Sequence, residues 1–222
     1  MKITPLLAVR RDLGELEKQF ETALESYERL KAACEAQVSH WQWANGPLYD
    51  LDPLFFLDPH IKVGKISSSP PRRPAGWSAY GLANDRPFIE RQYSDLPSHE
   101  YYQNFYVYMA DRVLQFRFHY STPRTVINCS QLVMGDSGPA YFQRGGSRGW
   151  FSYTFGNAHG RIESFVGVSK EPDEAERKFS GEILYKESGI VELWRRESGR
   201  RSKELYYRGK PPTYNPYVSL FK

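Results

Sequence analysis

The sequence predicts an α+β fold that is mainly antiparallel β, with a long N-terminal amphipathic helix followed by a curved β-meander sheet or partly open barrel. Three observations carry this expectation. Between residues 101 and 208, short runs rich in aromatic and β-branched residues alternate with small polar turns. Before residue 44, apolar residues recur at helical spacing. Between residues 45 and 99 lie eight of the fifteen prolines, which break either pattern. The chain therefore reads as one structural unit in three parts: helix at 1–44, a proline-rich segment packed on the core at 45–99, and a meander with a proline-rich tail at 100–222.

The helical stripe runs through Leu13, Leu16, Phe20, Ala23, Tyr27, Leu30, Cys34 and Trp41. Its steps of three and four predict a helix about 40 Å long at about 1.5 Å per residue. Such a stripe is either the seam of a homodimeric coiled coil or the face of a helix laid across a sheet. The aromatic residues Phe20, Tyr27 and Trp41 favour the sheet. Asn45-Gly46-Pro47 ends the helix. In the segment that follows, Leu54-Phe55-Phe56-Leu57 reads as a patch that packs on the core, and 67–74 as an exposed loop of polyproline character. Residues 77–80 and 88–93 are the first candidate strands. The meander then continues at 101–109, 113–120, 125–133, 140–142, 150–155, 162–168, 179–185, 190–195 and 203–208. The turns Gly135-Asp136-Ser137-Gly138, Gly156-Asn157-Ala158-His159-Gly160, Glu187-Ser188-Gly189 and Glu197-Ser198-Gly199 supply the positive φ that hairpins need.

Two of these hairpins, Tyr153-Thr154-Phe155-Gly156-Asn157-Ala158-His159-Gly160-Arg161-Ile162-Glu163 and Tyr185-Lys186-Glu187-Ser188-Gly189-Ile190-Val191-Glu192, resemble the bacterial YD (RHS-type) β-hairpin repeats. The resemblance implies a structural, curled sheet. Small immunity proteins of bacterial toxin systems are similar in style, which implies a bacterial protein whose partner is a protein of the toxin kind.

Composition bounds the chemistry. Hydrophobic residues make up 40% and aromatics 15% of 222 residues, enough for a folded core. The net charge of +4 comes from 30 basic and 26 acidic residues mixed along the chain, without the one-sided basic face of a dedicated nucleic-acid binder. The first residues lack a secretory h-region and no apolar run reaches the roughly 18 residues of a membrane span, so the expectation is a cytoplasmic protein with Cys34 and Cys129 as reduced core thiols.

Candidate catalysts do not converge. Gly135-Asp136-Ser137-Gly138-Pro139 is similar to the nucleophile loop of chymotrypsin-like proteases, but the loop's second glycine and a matching histidine segment are missing. His40, His60, His99, His119 and His159 lack metal-ligand spacing, and Asp50, Asp52 and Asp58 near His60 read as a polar loop. No catalytic residue, metal or cofactor is expected. Strand alternation instead places Arg117 and His119 on one side of their strand, and Glu192, Trp194, Tyr206 and Arg208 together on one side of the last two. Their Trp, Tyr and Arg content is that of interface hot spots, so the expected function is non-enzymatic protein binding. The alternative is a nucleic-acid interface through Arg195, Arg196, Arg200 and Arg201. A third reading, an enzyme assembling Asp50, His60, His99, His119 and Arg124 in space, stays open.

Overall fold

The computed structural model describes residues 6–94, 101–120, 124–159, 161–197 and 202–210. The apolar stripe forms two helices rather than one: α1 (Leu6–Thr22) and α2 (Tyr27–Glu35). Between them the amides of Ala23, Ser26 and Tyr27 reach back three residues to the carbonyls of Phe20, Ala23 and Leu24, at 3.1–3.2 Å. This tighter i→i+3 winding redirects the chain. It lets α1 lie on one pair of strands and α2 on another, which one straight rod does not do. Trp41, assigned to the helix from its spacing, belongs to a strand.

Thirteen strands follow, all antiparallel: β1 (His40–Ala44), β2 (Ile66–Ser67), β3 (Ser78–Ala83), β4 (Arg86–Tyr93), β5 (Tyr101–Tyr108), β6 (Arg112–Tyr120), β7 (Thr125–Gly135), β8 (Gly138–Gly146), β9 (Gly149–Ala158), β10 (Arg161–Lys170), β11 (Arg177–Tyr185), β12 (Val191–Glu197) and β13 (Glu204–Gly209). From β3 to β13 every strand pairs with the next, and β1 inserts between β3 and β2. Among the described residues β2 and β13 are free ends of the order, so the sheet is an open meander. Asn84 and Asp85, at φ 50° and 58°, make a two-residue turn between β3 and β4. Pro87 and Pro139 both sit beside register shifts, where a missing amide leaves no gap in the ladder.

Alternation divides the sheet into two faces. On the helix face, Leu114, Phe116 and Phe118 of β6 join Ile89, Phe105 and Cys129 under Leu13, Leu16, Ala23, Tyr27 and Cys34. α1 lies on β7 and β8, and α2 on β4 and β5. Polar ties fix the helices: the Asp12 carboxylate accepts from the Tyr141 hydroxyl and from Arg112 at 3.2 Å. Tyr27 donates to Gln103 Oε1 at 2.6 Å. Cys34 and Cys129 are buried and unbridged. Burial pushes their thiols up to about 11 and about 12, which leaves them unreactive at neutral pH.

The opposite, inner face packs Tyr106, Val113, Leu132, Phe142, Tyr153, Phe165 and Leu193 against Leu51, Leu54 and Leu57 of the proline-containing segment. The Leu48 amide donates to Tyr80 Oη on β3 at 2.9 Å, Arg144 on β8 pairs with Asp50 at 3.2 Å, and Tyr206 on β13 donates to Asp58 at 2.9 Å. Ten strand intervals would separate β3 from β13 by about 48 Å in a flat sheet. Ten residues of chain, including the 3₁₀ turn Phe55–Leu57, fall well short of their extended reach of about 35 Å. The sheet is therefore curled around this segment, which fills its interior as a plug. The plug is closed at its neck, where Gly64 donates to the Pro47 carbonyl at 2.8 Å and Lys65 to Asn45 Oδ1 at 2.7 Å.

Several polar side chains are enclosed beneath the plug. Glu90 accepts from Asn104 at 2.6 Å and from Tyr106 at 3.2 Å, and Gln115 donates to the same tyrosine oxygen at 3.1 Å. Burial raises the Glu90 carboxyl, with Arg117 partly offsetting it. Asp52 caps the Leu54 amide at 2.9 Å, and burial lifts its carboxyl from 3.8 to about 6 despite Arg144. Between those two values the unfolded chain has released a proton that the folded chain still holds, so stability falls as pH rises through the window. Asp52→Asn removes this penalty. Chemical denaturation should show the variant gaining up to about 3 kcal/mol on the wild type between about pH 4 and about pH 7. A difference that does not change with pH would place the carboxyl in water.

Candidate functional site

Among the described residues the helices lie mainly on β4, β5, β7 and β8, and neither helix packs on the outer side of β10 to β13. Register builds its rows. Ser164, Glu182, Trp194 and Leu205 are cross-strand neighbours, and so are Val166, Ser180 and Arg196. Leu184, Glu192 and Arg208 form a third row. These side chains point away from the plug, because Phe165, Ile183 and Leu193 on the same strands point into it. Val166 is 61% exposed, Leu184 40% and Leu205 43%. A shallow groove of about 190 Å³ runs between Val166, Glu182, Trp194, Arg196 and Lys203 over the backbone of Gly181.

Trp194 is held in place at the groove wall. Its indole donates to Glu192 Oε2 at 3.2 Å, and Arg208 grips Oε1 of the same carboxylate with Nε at 2.9 Å and Nη2 at 2.7 Å. Lys186 approaches at 3.4 Å. The indole hydrogen bond, and then that from Arg208, hold the Glu192 carboxyl below the usual range. On the groove's other side Lys203 meets Glu182 at 2.5 Å. The result is an indole fixed before any partner arrives, which reduces the ordering cost of binding.

The side chains singled out from sequence fall into three places. Glu192, Trp194 and Arg208 come together on the outer face as described. Tyr206 lies at a register shift in β13 and turns inward, where the Arg195 guanidinium stacks 3.7 Å from its ring centre. Arg117 and His119 lie six strands away on the inner face, with Arg117 donating to Gln92 at 2.7 Å and stacking 4.7 Å from the Tyr102 ring. Arg196 is exposed on the outer face, opposite Ser180. Arg200 and Arg201 lie outside the described residues, as does His99 of the catalytic reading. Within that same reading, Asp50 engages Arg144, while Arg124 pairs with Glu28 at 3.2 Å and stacks on Tyr27.

Val166, Leu184 and Leu205 were not singled out from sequence. Their signal is the two-residue period of β10, β11 and β13, but the period alone does not say which face is bare. Comparison with known protein families, curated proteins and solved structures finds no match to this chain. Among the described residues no three His, Cys, Asp or Glu side chains converge as a metal site, and no helix is long and apolar enough to cross a membrane. What the groove offers is apolar contact at Val166 and Trp194 and charged donors at Arg196 and Lys203. Its volume is below the roughly 300 Å³ of small-ligand pockets and suits one or two inserted side chains.

Proposed function

We propose that this chain is a protein-binding module of the immunity or inhibitor kind, which docks its partner on the outer face of β10 to β13. The observation that carries the reading is the outer side of β10 to β13, which neither described helix covers and where a pre-positioned Trp194 stands across from exposed Leu205, with Leu184 and Val166 exposed on the neighbouring strands. Exposed apolar groups beside a fixed indole and interspersed with charge, on a sheet face that neither described helix covers, have the composition of an interaction surface. A fixed Trp beside Arg is the composition of a binding hot spot. The partner it fits is a protein that inserts an apolar side chain into the groove and sets carboxylates against Arg196 and Lys203.

The test is affinity capture from the native host with the wild type and with Val166→Glu/Leu184→Glu, two changes at exposed positions that leave both cores intact. A stoichiometric protein held by the wild type and lost on the variant is the expected result. Equal retention by both, or retention of nucleic acid alone, would remove this surface as the binding site. If the captured partner arrests growth alone and not when co-expressed with the wild type, the immunity role follows.

A further inference from the structure

The inner face of β4 to β7 carries a polar row in which two enclosed acceptors have no donor. Register sets Glu90, Asn104, Arg117 and Asn128 side by side on four successive strands. All four point to the plug side, because their neighbours Ile89, Phe105, Phe116 and Cys129 pack under the helices. The row is closed at one end and half-open at the other. Glu90 is 5% and Asn104 1% exposed, whereas Arg117 and Asn128 are half-buried.

Asn104 donates Nδ2 to Glu90 at 2.6 Å, which turns its Oδ1 away from that carboxylate, and this oxygen accepts nothing. The Oδ1 of Asn128 is enclosed and unpartnered as well. Its neighbour on β8 is Gly146, which brings no side chain to it. Enclosed acceptors without donors weaken a fold, and native chains keep them where something else supplies the donor.

Arg117, between the two, is equally uncommitted. Its guanidinium donates to the neutral Gln92 at 2.7 Å and stacks 4.7 Å from the Tyr102 ring, and among the described residues it forms no ion pair. Arg144 of the next row is by contrast taken up by Asp50 at 3.2 Å. Glu90 is satisfied by Asn104 and Tyr106, and stands two strands, about 10 Å, from Arg117. Along the row the order is therefore carboxylate, carbonyl oxygen, guanidinium, carbonyl oxygen, with the two charges in balance. A ligand that complements this order carries a cation beside an anion and has no net charge.

We infer that this row binds a free polar α-amino acid. The ligand's carboxylate draws the Arg117 guanidinium off Gln92 into a bidentate pair, a side-chain rotation that uncovers the row. Its ammonium donates to Asn104 Oδ1 in the field of Glu90, and a donor of its side chain reaches Asn128 Oδ1. The site lies on the opposite face of the sheet from the Trp194 groove and does not depend on docking there.

Thermal shift of the full chain against the common L-amino acids, followed by titration calorimetry of those that raise the melting point, tests it. Saturable one-to-one binding of an amino acid with a side-chain donor, such as serine or glutamine, is expected. Its methyl ester, which lacks the carboxylate, and its hydroxy-acid analogue, which lacks the ammonium, should not bind. Arg117→Met, which keeps an apolar stem over Tyr102, should weaken binding about tenfold or more, and Asn128→Leu about fivefold. Asn128→Leu should melt no lower than the wild type, because the carbonyl it removes has no partner in the free chain, so its lost affinity is not lost folding. Absence of binding by every amino acid, equal binding of the ester or hydroxy acid, or unchanged affinity in either variant would overturn the site. Val166→Glu/Leu184→Glu should leave amino-acid binding intact, which separates this result from the fate of the protein-docking reading.

Discussion

Gly64→Ala should lower the stability of the protein by about 3 kcal/mol, and its melting temperature by about 6–12 °C for a chain of this size. The backbone at Gly64 crosses that of Gly46, and an added methyl would meet the Gly46 carbonyl oxygen and stand 2.7 Å from its carbon. Both clashing groups are main chain, so no rotamer change relieves them. Gly46 itself sits at φ 129°, a conformation that L side chains rarely adopt, and it cannot move freely aside. The neck of the plug must open, with the loss of the Gly64 to Pro47 hydrogen bond. Overpacking of this kind costs about 1–3 kcal/mol by itself. Partial withdrawal of Leu51, Leu54 and Leu57, each worth about 1.5–3 kcal/mol when fully buried, adds to it. Thermal melting and limited proteolysis within 45–65 are the measurements. A melting point within about 2 °C of the wild type would show that the neck does not hold the plug.

Phe165→Ala should cost about 3–5 kcal/mol, the range for deleting a buried aromatic ring. Phe165 is 1% exposed and lies across its β11 neighbour Gly181 on the inner face. In the same way Phe179 of β11 lies across Gly167 of β10. Each ring occupies the space that a side chain on the facing strand would need. Gly181→Ala would therefore press its methyl into the Phe165 ring and to within 2.9 Å of the Trp194 carbonyl oxygen, at about 1–3 kcal/mol. Once the ring is gone, most of that clash is gone. The double variant should be more stable than the sum of the two losses by about 1 kcal/mol or more. Strict additivity in denaturant titrations would mean that ring and glycine are not one packing unit.

The local chemistry of the chain was legible where one residue type decides it. Gly135 to Gly138 and Glu187 to Gly189 are turns because small polar residues followed by glycine accept positive φ, and Gly138 and Gly189 have it. The alternation of Leu114, Phe116 and Phe118 with Gln115 and Arg117 marked β6 and its two faces. By contrast, the break between α1 and α2 has no proline or glycine to announce it. It arises because two helices must lie on strands several positions apart. Trp41 fits the helical stripe by spacing and still enters β1, where His40–Ala44 pairs with β3. Strand pairing over a long separation outweighed a local period.

The candidate site divides along the same line. Trp194 and Arg208 were visible as interface-type residues, but that they share Glu192 follows from the β12–β13 register. Arg117, of the same composition, belongs to the other face and to the neighbourhood of buried Glu90. Composition cannot separate them, because six strands and the direction of one side chain do so.

By itself the sequence determined the antiparallel meander and its turns, since propensity, alternation and turn chemistry act within about ten residues. The break between the helices, the strand at His40–Ala44 and the register shift that turns Tyr206 inward were not in it. Tertiary structure alone decided that the proline-containing segment plugs the curled sheet, and that among the described residues the two helices lie on β4, β5, β7 and β8 and not on β10 to β13. Those outcomes depend on apolar groups finding partners across the whole chain: Leu51 against Tyr106 and Leu193, Leu16 against Phe118. Burial is a property of the assembled surfaces, and no local window of residues contains it.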